Sequence, residues 1–231
     1  MIPDFENGSV LLIDKPLHWT SFDVVNKIRS LIKYKRNIKK IKIGHAGTLD
    51  PLATGLLILC TGKFTRRIEE FQSFEKEYTG TFFLGASTPS YDLETKVTET
   101  TDISELTDSE IISAAGFFKG GYEQLPPVFS AKKIRGERAY EFARKGKKVE
   151  MKPVSIIISE FMITAVRLPE VDFRIRCSKG TYIRALARDM GEKLNCGAYL
   201  SSLRRTQIGN FHVDSAMSME QFEEIVMQQN P

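Results

Sequence analysis

Cysteine is scarce in this chain and histidine equally so, with three of each among 231 residues. Cys60, Cys177 and Cys196 have neither metal-ligand nor redox spacing, and an odd count argues against a disulfide framework. Cys60 and Cys177 close apolar or alternating runs, the ordinary setting of a small buried residue. His18, His45 and His212 lack any ligand spacing, so a zinc site is not expected. No apolar stretch is long: residues 55–60 form the longest run, far short of the roughly twenty that span a bilayer. Residues 1–9 contain no apolar segment of the kind a secretory signal needs. Internal repeats, low-complexity linkers and sharp breaks in composition are missing as well. These absences speak against a metal scaffold, a disulfide-knit secreted domain and a helical membrane protein, and the expected compartment is the cytoplasm.

A large excess of charge of either sign is also missing. Lysine and arginine number 33 against 29 acids, a net charge of +4 and a pI near 8.9. The distribution is less even than the total. Between residues 24 and 49 every charge is positive: Lys27, Arg29, Lys33, Lys35, Arg36, Lys39, Lys40 and Lys42. A second basic stretch covers residues 132–148, and a third contains Arg174, Arg176, Lys179, Arg184 and Arg188, whereas acids collect over residues 92–110. Separated blocks of this kind are the footprint of a nucleic-acid partner. Solvated helix faces give the same pattern, so charge alone leaves both readings open.

A hydrophobic content of 42% is enough for a real core. Residues 10–13 read as a strand, followed by a helix capped by Thr20 or Ser21 with Phe22, Val25, Ile28, Leu31 and Ile32 on one face. The glycine- and proline-rich segment 44–55 is read as a loop leading into the buried run 56–59. Helices are expected at 64–74, 108–118, 139–145 and 180–194, with a last one capped by Ser218. Strands are expected at 78–84, 155–166, 171–177 and 199–206, with a polar loop over 86–106. Without a regular βαβ repeat, the pattern is α+β in one domain.

Chemistry concentrates in Gly44-His45-Ala46-Gly47-Thr48-Leu49-Asp50-Pro51-Leu52-Ala53-Thr54-Gly55. Flanking glycines let the backbone approach a bulky ligand, His45, Thr48 and Asp50 offer polar groups of different proton capacity, and Pro51 holds Asp50 extended. This segment resembles the catalytic motif of TruB-type tRNA pseudouridine-55 synthases. Asp14-Lys15-Pro16 with Thr20-Ser21-Phe22-Asp23 resembles the family's N-terminal motif, and Lys76-Glu77-Tyr78 its tyrosine motif. Further likenesses are Gln124-Leu125-Pro126-Pro127-Val128-Phe129-Ser130-Ala131-Lys132-Lys133, Gly136 with Arg138-Ala139-Tyr140, Cys177-Ser178-Lys179-Gly180-Thr181-Tyr182-Ile183-Arg184 and Leu203-Arg204-Arg205-Thr206. They follow one another in family order from Val10 to Phe211.

The resemblance implies a pseudouridine-synthase-like fold: a mixed, largely antiparallel sheet flanked by helices, with a central RNA-binding cleft. It implies a single catalytic domain over residues 1–231, without the C-terminal PUA domain that many members carry. Asp50 is the implied catalytic carboxylate and Arg184 the arginine that pairs with it. Tyr78 is implied to stack on the target base, Leu203 to wall the pocket and His45 to stabilise the opened RNA loop. Lys15, Lys179, Tyr182, Arg204 and Arg205 are implied RNA or pocket-wall contacts. In the loop after the tyrosine strand, only Asp92 fits the family's second acid. The implied substrate is the T arm of tRNA, with no cofactor, metal, guide RNA or obligatory protein partner. Two rivals are a guide-RNA-dependent synthase of the dyskerin type and a non-catalytic RNA-binding module on the same scaffold.

Overall fold

The computed structural model describes residues 4–36, 38, 40–130, 133–134, 137–138 and 151–227. In chain order its strands are β1 (Val10–Lys15), β2 (Ile43–His45), β3 (Ala53–Thr61), β4 (Lys76–Leu84), β5 (Ala86–Ser87), β6 (Glu99–Thr100), β7 (Gly120–Gln124), β8 (Lys133–Ile134), β9 (Glu137–Arg138), β10 (Val154–Arg167), β11 (Glu170–Cys177), β12 (Ala198–Ile208) and β13 (Phe211–His212). The α-helices are α1 (Ser21–Lys35), α2 (Ile68–Ser73), α3 (Asp108–Phe117), α4 (Ile183–Lys193) and α5 (Met219–Met227). The chain divides into two compact units, residues 1–78 with 203–231, and residues 79–202. The α+β expectation with a largely antiparallel sheet and flanking helices is met: the described registers are antiparallel except for β3 with β12.

In the first unit β3 is the organising strand. It pairs with β1 (Leu12 opposite Ile58), with β2 (Gly44 opposite Cys60) and, in parallel, with β12 (Leu203 opposite Ala53). Side chains alternate along a strand, so a strand covered on both faces needs an unbroken apolar run. Residues 56–60 satisfy this: Leu57 and Leu59 join Leu11, Ile13, Val25, Ile28, Ile32 and Phe222 in one core cluster. Leu56, Ile58 and Cys60 join Phe71 and Ile208 in another.

Helix α1 starts with a capping box in which the Thr20 hydroxyl and the Asp23 carboxylate each accept from the other residue's backbone N–H. Its buried positions are Ser21, Val24, Val25, Ile28, Leu31 and Ile32. Phe22, expected on the buried face, is 61% exposed. The stripe runs 21–24–28–31, and Val24 rather than Phe22 falls on it. The expected helix at 64–74 is instead a 3-10 turn, Gly62–Arg67, followed by α2.

In the second unit β10 pairs antiparallel with β11 and with the edge strand β7, and α3 packs on β10. Val171, Phe173, Ile175 and Cys177 are buried, the alternation read in the sequence. Phe173 stacks on Phe82 with centroids 4.2 Å apart, and Phe161 meets both edge-on. The polar stretch 86–106 contains the short pair β5–β6, and β7 has no counterpart in the sequence reading. The expected helix at 139–145 lies outside the described residues.

The basic blocks divide once their partners are visible. Lys33 and Lys35 are exposed in the last turn of α1, where cations complement the helix dipole. Arg174 and Arg176 instead pair with Glu160 across β10 and β11, and Arg184 and Arg188 pair with Asp92 and Asp189. Much of the third block is therefore structural charge rather than a surface for phosphates. The second block falls almost wholly outside the described residues.

Candidate functional site

Lys15, His45, Asp50, Tyr78 and Leu203 belong to the first unit. Residues 46–52 form its irregular loop, because His45 still ends β2 and Ala53 already begins β3. The loop is tied down at successive backbone positions. Ala46 N–H donates to the Ile58 carbonyl, His18 N–H to the Pro51 carbonyl and Ala53 N–H to the Asp50 carbonyl, at 2.9, 2.8 and 3.0 Å. The buried Ser21 hydroxyl accepts from Leu49 N–H at 2.9 Å and lies 3.2 Å from the Leu49 carbonyl. Ser21 thus does more than begin α1, since it pins the residue before Asp50. Ser21→Ala is expected to destabilise the protein by about 1–3 kcal/mol, the cost of leaving the buried Leu49 amide unsatisfied. A denaturation midpoint unchanged from wild type would contradict this.

Arg205 holds the same loop from below. It is 1% exposed, and its guanidinium donates to the carbonyls of Leu56, Gly47 and Thr48 at 2.7, 3.1 and 3.5 Å. Parallel pairing brings the β12 backbone close enough that a Cβ at Gly55 would sit 2.3 Å from the Arg205 carbonyl, and Gly55 also has φ +102°. Only glycine fits there.

The motif around Arg205 sends its side chains to three other motifs. Arg204 makes a bidentate pair with Asp14 at 3.0 and 2.6 Å, and Thr206 donates to Glu77 at 2.7 Å. Beside Glu77, the buried Lys76 ammonium donates to the Gln72 and Phe74 carbonyls at the end of α2. These contacts fix the two residues just before Tyr78, which is 8% exposed near the start of β4. Leu203 pairs with Ala53, the first residue after the loop.

Lys15 and Asp50 come together electrostatically. Lys15 is fully buried, and its ammonium donates to the Pro16 and Trp19 carbonyls at 2.9 and 2.6 Å. Burial pulls it down to about 8, with the positive Arg205 acting the same way and the Asp50 carboxylate opposing. Asp50 itself is half-buried. His45 is held below its ordinary value by burial first and by Arg205 second, against a backbone contact with Gly47, so it is neutral near pH 7. Its Nδ1 is sealed from solvent.

The Lys15 shift has a definite sign. The folded state releases this proton near pH 8 and the unfolded chain near 10.5. Burying the charge is therefore a penalty, complete below pH 8 and relieved as pH rises toward 10.5. Activity runs the other way if the ammonium supports the Asp50 charge, falling as pH rises through about 8. A pH–rate profile of wild type and Lys15→Met checks this, with the alkaline limb expected to vanish in the variant. A wild-type profile flat to pH 9.5 would contradict it.

Lys179, Tyr182 and Arg184 belong to the second unit. The exposed Lys179 stands in the turn before α4, and Tyr182 is the residue preceding that helix. The Gln124 side chain holds the Tyr182 backbone from both sides, accepting from its N–H at 2.8 Å and donating to its carbonyl at 3.1 Å. Arg184 is 4% exposed, lies 3.5 Å from the Asp92 carboxylate, and donates to the Ser90 and Phe129 carbonyls at 3.2 and 2.8 Å. Asp14, Glu77 and Gln124 were legible only as members of motifs and Ser21 also as a possible helix cap, and nothing in the sequence assigned them these contacts.

Comparison with known proteins agrees with this arrangement of motifs. Residues 35–183 match the family model of the N-terminal domain of TruB family pseudouridylate synthases. Residues 184–230 match that of the tRNA pseudouridylate synthase B C-terminal domain. The chain is 54% identical to tRNA pseudouridine synthase B of Phocaeicola vulgatus, covering 98% of this chain and 96% of that protein. It is 53% identical to the protein of the same name from Flavobacterium johnsoniae, covering 96% and 97%. Among solved structures it resembles a chain of a Cbf5-Nop10-Gar1 complex, with 27% identity and a TM-score of 0.70. That match covers 95% of this chain and 54% of the other, so the chain spans about half of that structure's length.

Proposed function

Because this chain belongs to the TruB family of pseudouridylate synthases, we propose that it isomerises uridine 55 in the T arm of tRNA to pseudouridine, with Asp50 as the reacting carboxylate. The isomerisation breaks the bond from uracil N1 to the sugar, turns the freed base and joins C5 to the same sugar carbon. The C5 proton leaves and N1 gains one, so no donor, oxidant or cofactor enters the balance. What remains for the protein is a charge at the sugar, a surface for the detached base and a means of opening the RNA loop.

The setting of Asp50 carries the reading. It is a half-buried carboxylate beside a buried ammonium, in a loop tied down by Ser21, His18 and Arg205. A reacting group held this firmly loses little freedom on reaching the transition state, and small misplacements of such groups cost about a hundredfold in rate. Tyr78 offers an aromatic face to the base and Leu203 walls the pocket, while Tyr182 and Arg184 are assigned a part in the same reaction. Neutral His45 supports the opened loop by hydrogen bonding rather than charge, offsetting the few kcal/mol that turning out a base costs. Lys15 acts beneath Asp50 and Lys179 contacts the RNA backbone.

Residues 1–231 are proposed to work as one catalytic domain, on tRNA directly and without guide RNA. Relatives near 50% identity that bear the name tRNA pseudouridine synthase B support this over the dyskerin-type alternative. The test uses tRNA transcripts carrying tritium at uridine C5. Forming the new bond releases that hydrogen, so stoichiometric release of one tritium per tRNA is expected. No release at enzyme in excess would refute the reading.

A further inference from the structure

We propose that Arg188 is a positioning residue for this reaction, holding in place the two segments that grip Arg184. The inference rests on the proposed function only in giving Arg184 its part in catalysis; the contacts are independent of it. Arg184 and Arg188 lie four residues apart on α4 and so share one face of the helix. Arg184 is gripped by the turn at residues 90–92, through the Ser90 carbonyl and the Asp92 carboxylate, and by the segment that ends at Phe129. Arg188 holds both of these a second time, one helical turn further on. Its guanidinium donates to the Leu125 carbonyl at 3.1 Å and lies over the Tyr91 ring, 5.2 Å from the centroid.

Arg188 is itself aimed by a fixed anchor. Its Nε and terminal nitrogen reach one oxygen of Asp189 at 2.7 and 2.5 Å. The other Asp189 oxygen accepts from the Tyr122 hydroxyl of β7 at 2.5 Å. Asp189 is 7% exposed, so this is an interior arrangement rather than a passing surface pair. The guanidinium plane is thus set before it meets Tyr91.

Tyr91 is the strained member. Its φ is +60°, a left-handed conformation that a bulky aromatic residue rarely adopts. Such strain persists where the surroundings over-determine it, and it gathers at working sites. Here three contacts impose it: Tyr91 N–H donates to the Thr88 carbonyl, the Tyr91 carbonyl accepts from Leu200 N–H, and Arg188 covers the ring. The reversal of the chain at Tyr91 turns the Ser90 carbonyl and the Asp92 side chain toward the same guanidinium. Without Arg188 the turn is free to relax, and Arg184 loses a fixed position rather than a direct partner.

The test combines kinetics with amide hydrogen exchange on the full chain, for Arg188→Ala and Arg188→Lys. In Arg188→Ala, exchange at the Tyr91 and Leu200 amides is expected to speed up at least tenfold, while Ile28 in α1 stays unchanged. The turnover number is expected to fall ten- to a hundredfold with KM for tRNA within threefold. Lysine keeps a positive charge near Asp189 but has no fork and no flat face, so it should regain folding stability without regaining turnover. If Arg188→Ala fails to fold, the lysine variant is read by the same two measurements. Unchanged exchange at Tyr91 and Leu200 would overturn the proposal, as would faster exchange with full turnover. Should wild type release no tritium from labelled tRNA, the functional reading fails, and the exchange data still decide whether Arg188 sets the turn.

Discussion

Asp50→Asn is expected to abolish pseudouridine formation while leaving tRNA affinity within about fivefold of wild type, or roughly 1 kcal/mol. The amide has the shape of the carboxylate but neither its charge nor its nucleophilicity. Loss of at least about ten-thousandfold in single-turnover rate is the scale for removing a reacting group. The loop should survive, because it is held through backbone atoms: the Asp50 carbonyl, the Leu49 amide and the Pro51 carbonyl. Losing the Asp50 charge removes the largest of the influences that favour a charged Lys15, so the Lys15 ammonium should titrate still lower than about 8. Substantial residual turnover in the variant would remove Asp50 from the chemistry.

Arg205 variants are expected to separate stability from activity. Truncation to alanine leaves the Leu56 and Gly47 carbonyls without their buried donor, and opens a void. Each unsatisfied group costs about 1–3 kcal/mol, so a total loss of at least about 3 kcal/mol is expected. Arg205→Met fills most of that void without donating to any carbonyl, and it also removes the cost of burying a charge, so part of the stability should return. Activity should not return with it. The Gly47 and Thr48 carbonyls lie three and two residues before Asp50, and displacement there is expected to lower turnover about a hundredfold. Thermal unfolding and single-turnover rates measured on both variants decide the matter, and a methionine variant with turnover within threefold of wild type would refute the loop-holding role.

The motifs were legible in the sequence, and so was the strand–helix–loop–strand order that carries the first of them. What joins them was not. Arg204 meets Asp14 across 190 residues, Arg205 meets Gly47 across 158, and Thr206 meets Glu77 across 129. Local pattern contains no record of such partners, because register between distant strands is a tertiary outcome. The same limit explains the arginines of the third basic block, whose charge reads identically whether it faces phosphate or Glu160. Phe22 shows a narrower failure: its hydrophobicity suggested burial, but the angle between positions 22 and 24 on the helix decided otherwise. Ser21 looked like a cap because caps are local, whereas its partner Leu49 lies 28 residues on. The Tyr91 turn was expected only as loop, since positive φ in a tyrosine has no signature in composition.

The most direct measurement incubates the purified chain with unmodified tRNA, without other proteins or RNA, and maps pseudouridine at nucleotide resolution. One modified position is expected, uridine 55 in the T arm, formed by wild type and absent with Asp50→Asn. Modification at other uridines with position 55 untouched, or an equal yield from the Asp50 variant, would contradict the assignment of substrate and carboxylate.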